Sequence, residues 1–201
     1  MKKDILRLGT VLALYAAAAC VALAFVYTVT QPTIAGLEQA QLESSLEDLF
    51  PDAEGFEEIN GSIVSKDASV VIQKSYKATK GGAIVGVAIK AEGKSYGGVT
   101  TMLIGVSTAG RIVGARVLTL KDTPGLGANA VNPAYFVDKK AKTTFTEQFK
   151  DKLVSDQFEV KKDVIAISAS TITSKALTGI VKRSGEAGSE WLKASATGGT
   201  K

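Results

Sequence analysis

Histidine is absent from the 201 residues, and cysteine occurs once, at Cys20. A Ser-His-Asp triad, a histidine-ligated haem or zinc, and a cysteine-held iron–sulfur cluster are therefore excluded within this chain. No intrachain disulfide can form, so cysteine usage says little about redox compartment. If the protein moves electrons, it needs an organic cofactor. A concentrated basic face is missing too. Of the net charge of +4, Lys2, Lys3 and Arg7 against Asp4 account for half. The remainder is dispersed along the chain, with no stacking aromatics among the bases. Nucleic-acid binding, which needs such a face, is set aside. Neither a P-loop glycine pattern nor a metal-ligand cluster is present, which argues against a hydrolase or phosphotransferase.

Apolar mass is plentiful. The mean hydropathy of +0.15 is high for a soluble domain, and it is concentrated at the N-terminus. From Leu8 to Leu37 there is no charged residue, and Leu8 to roughly Val29 is apolar. About 20 such residues at ~1.5 Å rise span a ~30 Å hydrocarbon core. Lys2, Lys3 and Arg7 precede the run and Glu38 is the first charge after it. The positive-inside bias places the N-terminus in the cytoplasm and the main domain outside it. A cleaved signal peptide or a lipid-modified Cys20 shares the basic start and apolar run. The length of the run, and the lack of an A-x-A site at its end, favour a retained anchor.

Four segments follow from the patterning. Residues 1–30 read as a cytoplasmic N-terminus and transmembrane helix, ended at Gln31-Pro32 because proline disfavours helix before it. Residues 31–68 hold an amphipathic helix, with Leu37, Leu42, Leu46, Leu49 and Phe50 on one face, and a connector. Residues 69–193 form the extracytoplasmic domain, and 194–201 a flexible tail. Within the domain, β-branched runs at Val70–Ala78, Ala83–Ala91, Val99–Ser107 and Arg111–Leu120 are split by glycine-rich turns, the pattern of an antiparallel meander. A short helix is expected over Thr143–Asp151, a strand near Gln157–Val160, and a helix from Ser174 to Arg183 closed by Gly185. The fold class is α+β, with an antiparallel meander sheet, packed helices and one N-terminal transmembrane helix.

Two segments carry the chemistry. In the first, an apolar strand from Asp163 enters Ser168-Ala169-Ser170-Thr171-Ile172-Thr173-Ser174, and a helix begins with Ser174 as N-cap. Thr171 thus lies beside a helix N-terminus, where free N–H groups and the macrodipole stabilise an anion such as a phosphate ester. Taken alone, the same residues also read as a ligand-free capping region. In the second, Lys121-Asp122-Thr123-Pro124-Gly125-Leu126-Gly127 follows the last meander strand. Pro124-Gly125 fits the centre of a type II turn, and Gly127 permits close backbone approach to a ligand. Alone, such a turn is usually structural.

Together, and in this order, the two segments resemble the FMN-binding domain of the G subunit of the Rnf ion-pumping ferredoxin–NAD oxidoreductase. The chain is also similar to the C subunit of the sodium-pumping NADH–quinone oxidoreductase. The resemblance extends over nearly the whole chain, including Leu6-Arg7-Leu8-Gly9 and Tyr96-Gly97-Gly98. In that family, a Ser/Thr-Gly-Ala-Thr stretch carries FMN through a phosphoester on its threonine, and a Thr-Pro-Gly-Leu-Gly loop lies over the flavin. The resemblance implies covalent FMN on Thr171, with Ser168, Ala169, Ser170 and Thr173 around it and Thr123, Leu126 and Gly127 positioning the ring. It implies an electron relay among other membrane subunits, with a flavin transferase for maturation. Ala169-Ser170 stand where the family has Gly-Ala, Ile165 where an acidic residue is common, and Asp122 where Glu is usual. Ser168, Ser170 and Thr173 therefore stay as rival acceptors. The same chemistry in a sodium-pumping quinone reductase, or a membrane-tethered scaffold that has lost its flavin, are the alternatives.

Overall fold

The computed structural model describes residues 2–61 and 63–198. The described residues divide into two compact units, one up to Glu43 and one from Ser44 onward.

The first unit belongs to helix α1, Lys2–Leu49. Among the described residues it is the one helix long and apolar enough to cross a membrane, and none of its apolar window is buried. The expected break at Gln31-Pro32 does not occur, because Pro32 lies inside the helix. Proline's fixed φ suits a helix, so the cost is one missing backbone hydrogen bond and a local clash. The apolar residues before it and the amphipathic ones after it outweigh that cost. The amphipathic stretch beginning at Leu37 is therefore the last part of α1 and not a separate helix. Thr28 and Thr30 donate their hydroxyls back to the Ala24 and Val26 carbonyls (2.8 and 2.7 Å), so neither leaves a polar group unpaired.

The second unit is an antiparallel sheet in the order β1-β2-β3-β4-β5. The strands are β1 Gly55–Glu58, β2 Val70–Lys80, β3 Ala83–Ser95, β4 Gly98–Ser107 and β5 Ile112–Thr119. The four meander strands stand where the β-branched runs predict them. Only β1, a short charged edge strand paired with Tyr76–Thr79, has no counterpart in the pattern. The central strands are apolar almost continuously because both faces are covered. Val87 pairs with Val106 and Ile89 with Ile104, and these side chains are fully buried under helix α2, Thr171–Gly198. On the opposite face, Phe50 lies against Gly86 and Gly105, where a Cβ would come within 2.5 and 3.2 Å of its ring.

Helix α2 neither starts at Ser174 nor stops at Gly185. It begins at Thr171 and passes through Gly185 and Gly188 to Gly198, beyond the Ala194 at which a flexible tail is expected. The last three residues of that tail lie outside the described residues. Glycine is retained in the helix for packing: a Cβ on Gly188 would fall 2.9 Å from Ile89, and one on Gly185 2.8 Å from Ile112. The helix rests on the sheet along this seam.

Between β5 and α2 the chain is mostly irregular. The helix expected over Thr143–Asp151 is reduced to the 3-10 turn Glu147–Phe149. Its continuation is diverted onto the sheet edge, where Asp151 N–H donates to Ile112 O and Ile112 N–H to Lys152 O, both 2.8 Å. Phe145 and Phe149 are fully buried and meet edge to face at 5.4 Å. The strand expected near Gln157–Val160 is reduced to a single bridge, Val160 with Val164, around a turn at residues 161–163. The Asp163 carboxylate takes the Phe158 and Glu159 N–H groups (3.0 and 2.6 Å) together with the Lys152 ammonium (3.0 Å), so those two N–H groups cannot serve a ladder. Burial acts to raise the Asp163 pKa, but the two N–H groups and Lys152 outweigh it and hold the carboxyl below its usual range.

Candidate functional site

The segment leading into α2 is extended but joins no sheet, and side chains serve its backbone. Gln148 accepts from Ile165 N–H (2.8 Å) and donates to Ile165 O (3.1 Å), as a neighbouring strand would. The Tyr135 hydroxyl accepts from Ser168 N–H at 3.0 Å. The fully buried Ser174 hydroxyl accepts from Ile167 N–H (3.0 Å) and donates to Ser170 O (2.8 Å). Ser174 is thus the clamp inside the first turn of α2, not the N-cap.

Residues Ile167 to Ser170 close a turn through Ser170 N–H to Ile167 O, 3.1 Å, with Ala169 at φ +58°. The turn delivers Thr171 as the first residue of α2. The first N–H groups of a helix have no intrahelical acceptor, and their partial positive charge favours an anion there.

The facing loop starts at Asp122. Thr123 to Leu126 form a turn closed by Leu126 N–H to Thr123 O at 3.1 Å, with Pro124 and Gly125 at its centre and Gly125 at φ +76°. That positive φ is what a type II turn requires. Asn129 donates its side-chain amide to Gly125 O at 2.9 Å. Asp122 accepts from Thr123 N–H (2.9 Å) and, across the gap, from the Thr173 hydroxyl at 2.5 Å. A Cβ on Gly127 would collide with the Asp122 carboxylate and meet the Thr173 hydroxyl at 2.7 Å. Gly127 is therefore the space in which the loop and the helix are tied together.

The β3–β4 hairpin completes the site. A Cβ on Gly97 would collide with the Lys121 carbonyl, so the hairpin tip passes directly against the mouth of the loop and Tyr96 reaches the cleft. The cleft, about 430 Å³, is lined by Tyr96, Asp122, Thr123, Leu126 and residues 169–173. Asp122, Thr123, Ser170, Thr171 and Thr173 give the cleft polar groups. Tyr96, Leu126 and Ile172 give it apolar surface, and they are 68%, 41% and 63% exposed.

The structure brings Thr123, Leu126, Ala169, Ser170, Thr171 and Thr173 to one cleft, with Gly127 behind it. Ser168 is exposed and does not line the cleft. Ser170 and Thr173 are buried, whereas Thr171 is half-buried. Sequence reasoning missed Tyr96 and Ile172 as cleft walls, although Tyr96-Gly97-Gly98 was visible as a motif. It also missed the Asp122–Thr173 contact, for which the order of the two loops along the chain was the available signal.

Residues 95–185 match the FMN-binding domain family, from the end of β3 into α2, and residues 1–49 match the RnfG N-terminal region. The chain is 34% identical over 170 residues to the G subunit of the proton-translocating ferredoxin:NAD+ oxidoreductase complex of Clostridium ljungdahlii, covering 82% of this chain and 80% of that one. It is 30% identical over 198 residues to the G subunit of the Na+-translocating complex of Acetobacterium woodii, covering 90% of each. The G subunit of the ion-translocating oxidoreductase complex of Methanosarcina acetivorans is 30% identical over 178 residues, with 87% and 89% covered. Among solved structures, Shewanella oneidensis NqrC superposes with a TM-score of 0.46 at 17% identity, over 74% of this chain and 88% of that one.

Proposed function

Because the chain belongs to the G-subunit family of Rnf-type ion-translocating oxidoreductase complexes, we propose that it is the membrane-anchored FMN subunit of such a complex, with the flavin esterified through its phosphate to Thr171. It is an electron-transfer subunit of an oxidoreductase and not an autonomous enzyme; the other subunits supply the remaining redox centres and the ion path. The observation that carries the reading is the half-buried hydroxyl of Thr171, at the first residue of α2 and inside the cleft closed by the Asp122–Gly127 loop.

The cleft fits FMN in its polarity. At the α2 end, first-turn N–H groups favour a phosphodiester. Tyr96, Leu126 and Ile172 offer apolar surface to a planar ring, and Thr123 a polar contact. Bound FMN supplies the electron-accepting and electron-donating chemistry. The protein's part is to hold the phosphate away from the ring and to leave the ring edge open to partners. Attachment forms a bond from Thr171 Oγ1 to phosphorus and breaks a phosphoanhydride in a flavin dinucleotide. The nucleoside monophosphate leaves, and the hydroxyl proton passes to a base of the flavin transferase. With Lys2, Lys3 and Arg7 before the apolar run, the N-terminus is cytoplasmic and the flavin domain lies outside.

Intact-mass analysis of membrane-expressed chain, made alongside a flavin transferase, tests the assignment. The expected mass gain is one FMN less one water, and Thr171→Ala abolishes it. An unmodified wild-type chain, or an adduct that persists in Thr171→Ala, overturns the assignment.

A further inference from the structure

Thr171 is shared by two clefts. Besides the one facing the Asp122–Gly127 loop, a second of about 460 Å³ runs along the outer stripe of α2, against residues 157–161 and the Asp67–Ser69 turn. On the helix it follows Thr171, Lys175, Thr178, Gly179 and Lys182, the spacing of a single face. Its lining holds four basic side chains, Lys161, Lys175, Lys182 and Arg183, and two acidic ones, Asp67 and Glu159.

The partners of these groups decide which charge is free. Arg183 pairs with Asp67 (3.2 Å) and with Glu186 (3.0 Å). Glu159 pairs with Lys162 at 2.7 Å, and Lys182 donates to Gln157 O at 3.0 Å. Both acids are thus engaged by cations. Among the described residues, the ammonium groups of Lys161 and Lys175 enter no ion pair or side-chain hydrogen bond. Lys175 stands one turn from Thr171. Lys161 projects from a backbone held at φ +76°, in the turn whose carboxylate knot at Asp163 fixes it. The two ammonium groups with no side-chain partner therefore line the same cleft as the threonine that begins the helix, with Lys182, bound only to a carbonyl, further along it.

We propose that this basic cleft is the phosphate half of the flavin site, in which Lys161 and Lys175 hold the phosphate of FMN while the Tyr96–Leu126 cleft takes the ring. The inference rests on the flavin reading, but it can be tested without the covalent bond. Two cations at one phosphate add charge-assisted contacts to those of the helix N-terminus, and such contacts are absent for a flavin lacking phosphate.

The test uses the full chain in detergent, made without transferase, and compares its affinity for free FMN and for riboflavin by fluorescence quenching. Wild type is expected to bind FMN about tenfold more tightly than riboflavin, the size of one charge-assisted contact. Lys161→Gln with Lys175→Gln should close that gap, and Lys161→Arg with Lys175→Arg should preserve it. Lys139→Gln with Lys140→Gln, in a separate surface loop, should leave it unchanged. Equal affinities in wild type, a gap that survives the double Gln variant, or no FMN binding at all would each overturn the proposal. If instead the gap behaves as expected and no adduct forms on Thr171 with the transferase present, the cleft stands and the covalent assignment falls.

Discussion

Two turns face each other across the cleft that Thr171 lines, built alike and filled differently. Each is closed by one backbone hydrogen bond, Leu126 to Thr123 and Ser170 to Ile167, and each puts its third residue at positive φ. In the loop that residue is Gly125. In the turn before α2 it is Ala169, an L-residue in a conformation that costs it roughly 1–2 kcal/mol. The loop is relaxed and braced mainly by Asp122 and Asn129. The turn before α2 is strained and braced by Ser174 and Tyr135, with Gln148 holding Ile165 just ahead of it. Such strain persists only where surrounding structure over-determines it.

Substitutions can undo this likeness at several points. The largest effect is expected at Gly127→Ala, whose Cβ would wedge apart Asp122 and Thr173. A stability loss of up to about 3 kcal/mol, the cost of overpacking, should appear in urea unfolding. Next comes Ser174→Ala, which leaves the buried Ile167 N–H without an acceptor and should cost about 2 kcal/mol in the same assay.

Asp163→Asn should cost a comparable amount, about 2 kcal/mol at neutral pH, for the loss of charged hydrogen bonds. The folded-state pKa of Asp163 is depressed, so its stabilisation is fully present above the unfolded carboxylate pKa and is lost as pH falls through the folded one. The melting temperature of wild type should therefore decline on acidification below the usual carboxylate range. That of Asp163→Asn should decline less.

The smallest effects discriminate best between the two turns. Gly125→Ala, in open space but at φ +76°, should destabilise by about 1 kcal/mol, whereas Ala169→Gly should stabilise by about 1 kcal/mol. Effects of the same sign at the two positions would show that the turns are not equivalent.

The sheet was legible in the sequence because its information is local. β-branched runs and glycine punctuation mark β2 to β5 within a residue or two at most starts, though β3 runs four residues further, to Ser95. The two motif loops were legible for the same reason, with Pro124-Gly125 announcing its own turn. What was not legible depends on partners far along the chain. Gln148 replaces a strand for Ile165, Tyr135 holds Ser168, and Asp163 turns a β-like stretch into a knot of hydrogen bonds. None of these leaves a periodic trace. Gly185 reads as a helix stop until Ile112 is known to lie beneath it, and Pro32 until the helix on both sides of it is seen. Within the site, the hydroxyl-rich run was visible, but which of its cleft-lining threonines and serines stays half-exposed was set by where α2 begins.

The contact between Asp122 and Thr173 also bears on the order of biogenesis. In a nascent polypeptide, Ser168, Ser170, Thr171 and Thr173 are four neighbouring alcohols with little to tell them apart. Once the two loops have closed, one has its proton committed to a carboxylate, another is shielded, and a third points away. On the proposed covalent reading, a modifying enzyme that met the finished domain would find its choice already made by conformation, and loading would follow folding.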